Sequence, residues 1–470
     1  NKMERRTLLA FFLTFLFLIG YYYLISKFIK KPQDTIEEVI EEKEKTKIIE
    51  KKEDLQKVDL DTFSITFSPR GGYINELFIK IYNEVLIFKN IGYIDEEKDK
   101  LFDFEVKENR LIFKDKNGYK KEYIFDGYKL IIDFNYTAKN LLVFSNPLHS
   151  NMLEQNYQMI FTSINKNINH INLKKVKNIT KVVDFTGAMD RYFSISLLSS
   201  SYSIRYEKKL NGINLILPSP PSKIELYIGP QVEKELKKFG LEDIINYGFL
   251  GDITFLIRKM LYFLYFLTKN WGLSIIFLTI IIYILLFPFT LSSTKTAKKL
   301  ASIQPLLNEL REKYKDNLAK FQKEQIELFK KHRINPLGGC LPLFFQLPIF
   351  FALFQVFSRF IEFKGTNFLW INDLTLPDRA FKLPFNLPYF GNYINILPIL
   401  MFFLNIFQQK FNPQSYASEE QKFTSFFLLG FISILFYHFP SSLLIYWLVQ
   451  SLFTFLFQLQ QFKTLSLKKY

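Results

Sequence analysis

The chain has 470 residues, 49% of them hydrophobic, a formal net charge of +16 and one cysteine, Cys340. A single cysteine excludes an intrachain disulfide framework. The basic residues lie largely beside apolar segments, which favours anionic lipid first and ribosomal RNA second as charged partners, and not DNA.

The first predicted element is a membrane anchor at residues 1–29. Residues 7–26 carry no charge and are long enough, as a helix, to cross about 30 Å of hydrocarbon. Three basic residues precede them, which keeps the N-terminus in the cytoplasm under the positive-inside rule. A cleaved signal peptide is the alternative, but a tyrosine triplet follows the apolar run where a signal peptide has small residues.

Residues 30–60 are highly charged and are predicted to form a solvated linker. Residues 61–232 then change to short alternating runs, separated by turn signals such as Arg70-Gly71-Gly72. Many short strands at this spacing predict an all-β, sandwich-like domain. With the anchor oriented as above, this domain lies outside.

Residues 233–268 are predicted to form amphipathic helices in the membrane interface. In the second helix, Ile253–Leu267, Arg258 and Lys259 stand among dense aromatic residues. A full membrane span is the alternative, and two adjacent charges near its middle disfavour it.

Residues 269–463 are predicted to contain five further spans, which makes six in all, and residues 464–470 a short cytoplasmic tail. The insert at 292–335 has eleven Lys or Arg against five Asp or Glu, whereas the loop at 362–392 has three of each. The basic insert therefore falls in the cytoplasm and the loop outside, and both termini are cytoplasmic. The five spans are apolar: Trp271–Leu291, Leu337–Ser358, Tyr393–Phe407, Phe423–Phe439 and Leu443–Phe457.

The cytoplasmic insert is predicted to form a helical hairpin of Lys298–Tyr314 and Leu318–Lys331. Each helix has one apolar face. The two helices either pack on each other with a solvated charged face, or form a docking arm for a partner. The pattern leaves both interpretations open.

The sequence predicts no catalytic residues, no metal site and no cofactor, so the chain is not expected to be an enzyme. Its four histidines lack metal-ligand spacing, and no serine-nucleophile, phosphate-loop or zinc-protease motif occurs. Cys340 lies in an apolar run, which is typical of an inert buried thiol.

The predicted spans carry uncharged polar residues in place of ionisable ones. Thr279 and Tyr283 are four residues apart and share a helix face, and polar residues recur every four positions in the last span. Two explanations stay open: hydrogen bonds between helices, or a hydrated cavity. The polar residues of the third and last spans include Gln346, Tyr446, Gln450, Thr454 and Gln458.

Several strings resemble the signature of the YidC/Oxa family of membrane protein insertases. The segment NPLGGC at 335–340 is specific to it, and Asn270-Trp271-Gly272 also fits. The β domain, including residues 184–193, is similar to the periplasmic domain of the Gram-negative branch, so the resemblance covers essentially the whole chain. The signature positions are Asn335, Pro336, Gly338, Gly339, Cys340, Pro342 and Pro348.

The resemblance implies an insertase and chaperone of the bacterial inner membrane, working alone or with the Sec translocon. It implies a hydrophilic groove open to the cytoplasm and to lipid. The implied partners are nascent membrane proteins, the Sec translocon, anionic lipids, and the ribosome through hairpin 292–335. The implied client contacts are Thr279, Tyr283, Gln346, Phe350, Tyr446, Trp447 and Gln450.

One position departs from the family pattern. The family usually has an arginine thirteen residues after the Asn of the NWG string, and this chain has Tyr283 there. A phenol can hydrogen-bond a client but cannot attract an acidic tail by charge. A polytopic solute transporter is the alternative function, although inverted repeats and a midplane site are not found. An outward-facing enzyme built on the β domain is a more distant alternative.

Overall fold

The computed structural model describes residues 55–149, 152–198, 202–248, 250–335, 341–411 and 419–467. The predicted anchor, most of the predicted linker, and the signature residues Pro336, Gly338, Gly339 and Cys340 lie outside the described residues. The chain divides into two compact units, with the boundary between Asn246 and Tyr247.

The first unit is β-rich, as the alternating sequence predicts. Strand β8 shows the rule: Leu130, Ile132 and Phe134 are buried and alternate with more exposed residues, because successive side chains point to opposite faces of a strand. The strands of this unit are β1 Gln56–Asp59, β2 Phe63–Ser68, β3 Tyr73–Ile79, β4 Glu84–Val85, β5 Asp103–Lys107, β6 Arg110–Lys114, β7 Lys120–Asp126, β8 Lys129–Phe134, β9 Asn140–Pro147, β10 Met159–Ile164, β11 Asn167–Asn172, β12 Ile179–Val183, β13 Phe185–Met189, β14 Phe193–Leu197, β15 Tyr202–Lys209, β16 Gly212–Pro218 and β17 Lys223–Pro230.

These strands form three sheets. The largest has the order β11-β10-β13-β14-β17-β8-β7-β6-β5, and two four-stranded sheets have the orders β1-β2-β3-β4 and β12-β15-β16-β9. Both smaller sheets pack on the large one. Phe67 of β2 meets Phe113 of β6 with ring centroids 5.6 Å apart. The Tyr206 hydroxyl of β15 lies 2.8 Å from Thr186 Oγ1 of β13.

A buried ion pair lies inside this unit. Lys121 Nζ donates to Glu97 Oε2 at 3.2 Å, and the two residues are 0% and 2% exposed. Burial lowers the pKa of the Lys121 ammonium to about 8, while the nearby Glu97 carboxylate acts in the opposite direction.

Two predicted boundaries are corrected. Residues 56–59 fall in the predicted linker but form strand β1, which pairs with β2. The sequence does not predict this strand because it is an exposed edge strand with charged side chains and lacks an apolar alternation. Residues 233–246 were grouped with the helix Ile253–Leu267 but belong to the first unit. Ile244 is buried there and its carbonyl lies 2.8 Å from His170 Nε2.

The second unit is helical. Helix α4 begins with the Asn270-Trp271-Gly272 string, and each residue has a separate structural role. Asn270 Oδ1 caps the helix by accepting from the Leu273 amide at 3.0 Å. Trp271 stacks on Tyr265 with centroids 4.0 Å apart, and a Cβ at Gly272 would lie 2.1 Å from the Phe368 ring. The helices within the described residues are α1 Met152–Gln155 and α2 Glu233–Lys237 in the first unit, and α3 Gly251–Thr268, α4 Trp271–Ser302, α5 Gln304–Lys313, α6 Leu318–Lys331, α7 Leu341–Arg359, α8 Ile396–Phe411, α9 Glu419–Leu435 and α10 Ser441–Leu467 in the second.

Helices α4 and α10 are long and apolar enough to cross a membrane, and the apolar parts of α7, α8 and α9 are shorter. The number of six spans stays a prediction. A two-stranded hairpin, β18 Phe381–Leu387 and β19 Gly391–Ile394, precedes α8.

The basic insert differs from the predicted hairpin at its start. Helix α4 continues through Pro288 to Ser302, and a break at Ile303 separates it from α5, so the predicted helix Lys298–Tyr314 is wrong. Pro305 lies in the first turn of α5, where a missing amide hydrogen costs nothing. Ile303, Leu307 and Ile334 are buried together, so α5 and α6 pack on their own apolar faces.

Candidate functional site between the apolar helices

A cluster of uncharged polar side chains joins α7 to α10. The Gln346 amide nitrogen donates to Tyr446 Oη at 2.7 Å and to Gln450 Oε1 at 3.3 Å. The Gln450 amide nitrogen donates back to Gln346 Oε1 at 2.9 Å. Tyr446 is fully buried, whereas both glutamines are half-buried. Three predicted site residues, one on α7 and two that lie one turn apart on α10, therefore meet in one hydrogen-bonded group.

Tyr283 lies at the contact of α4 with α10. Its hydroxyl donates to the Phe453 carbonyl at 3.3 Å, and its ring lies 5.5 Å from the Phe453 ring. The side chain is half-buried. A neutral donor therefore occupies the position where the family pattern has a cation.

Thr279 does not present its hydroxyl to the space between helices. The residue is 0% exposed, and its Oγ1 donates to the Ile275 carbonyl of the same helix at 2.7 Å. Thr279 therefore does not line an accessible surface in this arrangement of the helices.

The predicted aromatic positions also meet. Phe350 of α7 lies 5.4 Å from Trp447 of α10, ring to ring, and both pack against Phe436 in the short 3₁₀ turn that follows α9. Phe436 was not identified from the sequence, although the Phe439-Pro440-Ser441 string lies just after it. Phe350 and Trp447 are half-buried, so this aromatic cluster is partly open.

Two further polar contacts were missed by the sequence analysis. Gln408 of α8 donates to the Ser451 carbonyl at 2.5 Å, and Lys298 near the end of α4 donates to Gln461 Oε1 at 2.6 Å. Polar groups thus line the inner contacts of α10 along much of its length. In the sequence Gln408 follows the apolar run that ends at Phe407 and Lys298 lies in the basic insert, so neither residue is a polar position inside a predicted span.

The signature residues are only partly within the described chain. Asn335 is exposed at the end of the α5–α6 hairpin. Pro348 lies inside α7, where it cannot donate to the carbonyl one turn earlier. The side chain of Pro342 is outside the described part, like the intervening residues of the signature.

A charged cluster in the helical unit was also missed. Arg258 of α3 is 5% exposed and lies over the Phe360 ring at 5.2 Å, and Tyr262 donates to the carboxylate of Glu362. Burial raises the pKa of Glu362, and the Arg258 guanidinium opposes that shift. Arg258 of the predicted interfacial helix is therefore buried, whereas Lys259 is exposed. Arg258 shares the buried face of α3 with Thr254.

No group of three or more His, Cys, Asp or Glu side chains is placed to hold a metal ion in the part of the chain that the structure describes. The cluster between α7 and α10 offers neutral hydrogen bonding from two amides and one phenol, each of which can donate and accept.

Comparison with known proteins finds similarity mainly in the helical part. Residues 263–468 match the model of the family described as 60Kd inner membrane protein. Curated proteins named membrane protein insertase YidC are similar: that of Chloroherpeton thalassium is 36% identical over 259 residues, 53% of this chain and 44% of that protein. That of Wolinella succinogenes is 36% identical over 301 residues, 61% and 52% respectively. The match thus spans about half the length of these relatives.

Two solved structures are also similar. An active YidC insertase crystal structure with the first transmembrane domain resolved has a TM-score of 0.46 and 17% identity, covering 85% of this chain and 93% of that chain. The YidC crystal structure from Thermotoga maritima has a TM-score of 0.36 and 13% identity, covering 85% and 98%.

Membrane insertion, the activity in the curated relatives' names, is not enzymatic, in agreement with the prediction that this chain is not an enzyme. The family match covers α4 to α10, the helices that carry Tyr283 and the Gln346–Tyr446–Gln450 cluster. Residues 263–468 are therefore similar to the YidC/Oxa family of membrane proteins.

Proposed function

We propose that this protein is a membrane protein insertase and chaperone of the bacterial inner membrane. The observation that carries the proposal is the hydrogen-bonded group of Gln346, Tyr446 and Gln450, held between two mostly apolar helices. The partly open amides give this region polarity without charge.

Neutral polarity suits the passage of a client's polar segment. An unpaired polar group costs several kcal/mol in hydrocarbon, so a groove that supplies donors, acceptors and water lowers the barrier. Tyr283 adds a hydroxyl to this groove from α4. Because the described groove residues are uncharged, the proposed mechanism rests on hydration and hydrogen bonding, and not on attraction of an acidic tail.

The client's apolar segment leaves sideways in this proposal. Phe350 and Trp447, with Phe436 behind them, give it an aromatic surface between the polar group and lipid. Aromatic rings suit this contact because they accept many apolar side chains without specific hydrogen bonds.

The proposed topology places six spans in the membrane, both termini in the cytoplasm and the β-rich unit in the periplasm. The basic excess of residues 292–335 supports it. That excess also supports contact with anionic lipids and, through the hairpin, with the ribosome. The proposal includes cooperation with the Sec translocon on larger clients.

The test is insertion by the purified full chain in proteoliposomes, with a single-span client that has a short polar tail. We expect protection of the tail from added protease only in vesicles that contain the protein. Tyr283→Phe removes one hydroxyl and should lower the insertion yield by a few-fold. The matched control is the neighbouring Ile284→Leu, since Ile284 is 65% exposed on the outside of α4.

Equal yields from Tyr283→Phe and Ile284→Leu would exclude Tyr283 as a client contact, and normal insertion in vesicles without the protein would exclude the function. Photo-crosslinkers at Tyr283 and Trp447 should capture a stalled nascent chain. A crosslinker at Leu285, 68% exposed, should capture lipid instead.

A further inference from the structure

The β18–β19 hairpin exposes apolar side chains. Between Phe381 and Ile394 only Lys382 is charged. Phe381, Phe385 and Leu387 are 62%, 58% and 39% exposed. Two strands alone are marginally stable in water, so a hairpin that also leaves large apolar groups uncovered needs another surface.

The tip of the hairpin is fixed to the helical bundle. Tyr389 Oη donates to the Ile434 carbonyl at 2.8 Å, and His438 Nε2 lies 2.6 Å from the Tyr389 carbonyl. Phe390 packs edge-on against Tyr437 with centroids 4.8 Å apart. The hairpin is therefore held beside the C-terminal end of α9, with Phe381 and Phe385 left free of this contact.

The base of the hairpin is fixed at the beginning of α8. Asp378 Oδ2 accepts from the amides of Ile396 and Leu397, the first residues of that helix, at 2.7 and 3.2 Å. The same oxygen accepts from the Trp370 indole at 3.0 Å. Two apolar helices thus end at the level of the hairpin, and in a membrane-embedded bundle that level is the interface between hydrocarbon and water.

We propose that the β18–β19 hairpin is a lipid-binding element that inserts Phe381 and Phe385 into the membrane interface. This rests on the membrane embedding that the proposed function assumes. Trp370 supports the assignment: its indole N–H is satisfied by Asp378 while the ring stays 38% exposed, as in the aromatic belts of membrane proteins.

The strand pairing of the hairpin indicates how deep it lies in the membrane. Lys382 pairs with Tyr393 and Leu387 with Gly391, so the ladder is irregular between them. Backbone groups outside a regular ladder need water or headgroups, which the interface supplies and the hydrocarbon core does not. Lys382 is exposed and suits anionic headgroups. The bilayer interface, with its apolar and hydrated parts, therefore fits this hairpin better than a second protein would.

The test places an environment-sensitive fluorophore on the full chain in proteoliposomes, by cysteine substitution of Phe381 or Phe385 in a Cys340→Ala background. The control probe replaces Asn117, which is exposed in a turn of the first unit. We expect nitroxides attached to lipid near the headgroup to quench probes at 381 and 385 several-fold more than aqueous iodide does. The probe at 117 should show the reverse.

Iodide quenching at 381 and 385 equal to that at 117 would overturn the proposal. So would shielding from both quenchers, since the hairpin would then be covered by protein. Insertion measured in the same vesicles separates this test from that of the proposed function. An active protein with a water-exposed hairpin refutes the lipid contact alone, and an inactive protein with a lipid-quenched hairpin refutes the insertase function alone.

Discussion

At the scale of single residues, Lys121 shows how a buried charge makes stability depend on pH. Its folded-state pKa of about 8 lies below the ordinary value of 10.5. Between these values the unfolded chain binds more protons than the folded one, so the free energy of unfolding rises with pH. We expect Lys121 to add about 2 kcal/mol between pH 7 and 9.5, measured by hydrogen exchange of strand β7 in the full chain.

The matched control is the double variant Glu97→Gln/Lys121→Met, which removes both charges and keeps similar side-chain volumes. It should lose the rise with pH, because no ammonium remains to titrate. The comparison ends at pH 9.5, since burial raises the pKa of Tyr123 and this phenol opposes the trend at higher pH. The same rise in both proteins would show that Lys121 is not its source.

Single residues also show where the sequence was informative. The polar residues Gln346, Tyr446 and Gln450 were identified from the sequence, but their mutual bonds depend on how α7 and α10 are rotated. For Arg258 the signal existed. It shares a helix face with Thr254 and Leu261, which are buried, so helical periodicity places it inward while its charge suggested water.

At the scale of elements, the α5–α6 hairpin carries the proposed ribosome contact. Lys320 and Lys323 are exposed on α6. Reversing both with Lys320→Glu/Lys323→Glu should weaken sedimentation with purified ribosomes several-fold and make binding less sensitive to salt, because fewer counterions are released. The control, Lys98→Glu/Lys116→Glu in the first unit, changes net charge equally. An equal loss of ribosome binding in both variants would show that binding depends on net charge and not on this hairpin.

Element boundaries were less predictable than element types. The apolar residues Leu300, Ile303 and Leu307 keep one helical face across the break after Ser302, so periodicity alone joins α4 to α5. Pro305 was the local signal of a new helix start. Strand β1 was not predicted because its residues are polar and exposed and show no apolar periodicity. Only their pairing with β2 makes them a strand.

At the scale of the whole molecule, the division into two units allows the contribution of each unit to function to be tested separately. Removing residues 55–246 should leave insertion of short-tailed clients within about twofold of the intact chain, because the proposed groove lies entirely in the second unit. The measurement is protease protection in proteoliposomes. Lost insertion by a variant whose helices still resist proteolysis would assign part of the function to the β-rich unit.

The β-rich class and helical class of the two units followed from periodicity, but the order of strands did not. Strand β17 lies between β14 and β8 in the large sheet, so its neighbours come from distant parts of the chain. The alternation of apolar and polar residues predicts which side of a strand is buried, but it does not predict which strand lies beside it.

Helix α4 has a mechanical consequence. Its 32 residues rise about 48 Å, roughly 18 Å more than the hydrocarbon thickness. The helix begins after the capping residue Asn270, contains Tyr283 and ends before Ile303. The side chain of Ile303 is buried in the α5–α6 hairpin. A force on the hairpin is therefore transmitted along one continuous helix to Tyr283 and the proposed groove. Pro288 lacks the amide hydrogen that would bind the Ile284 carbonyl, so the helix bends most easily at this residue.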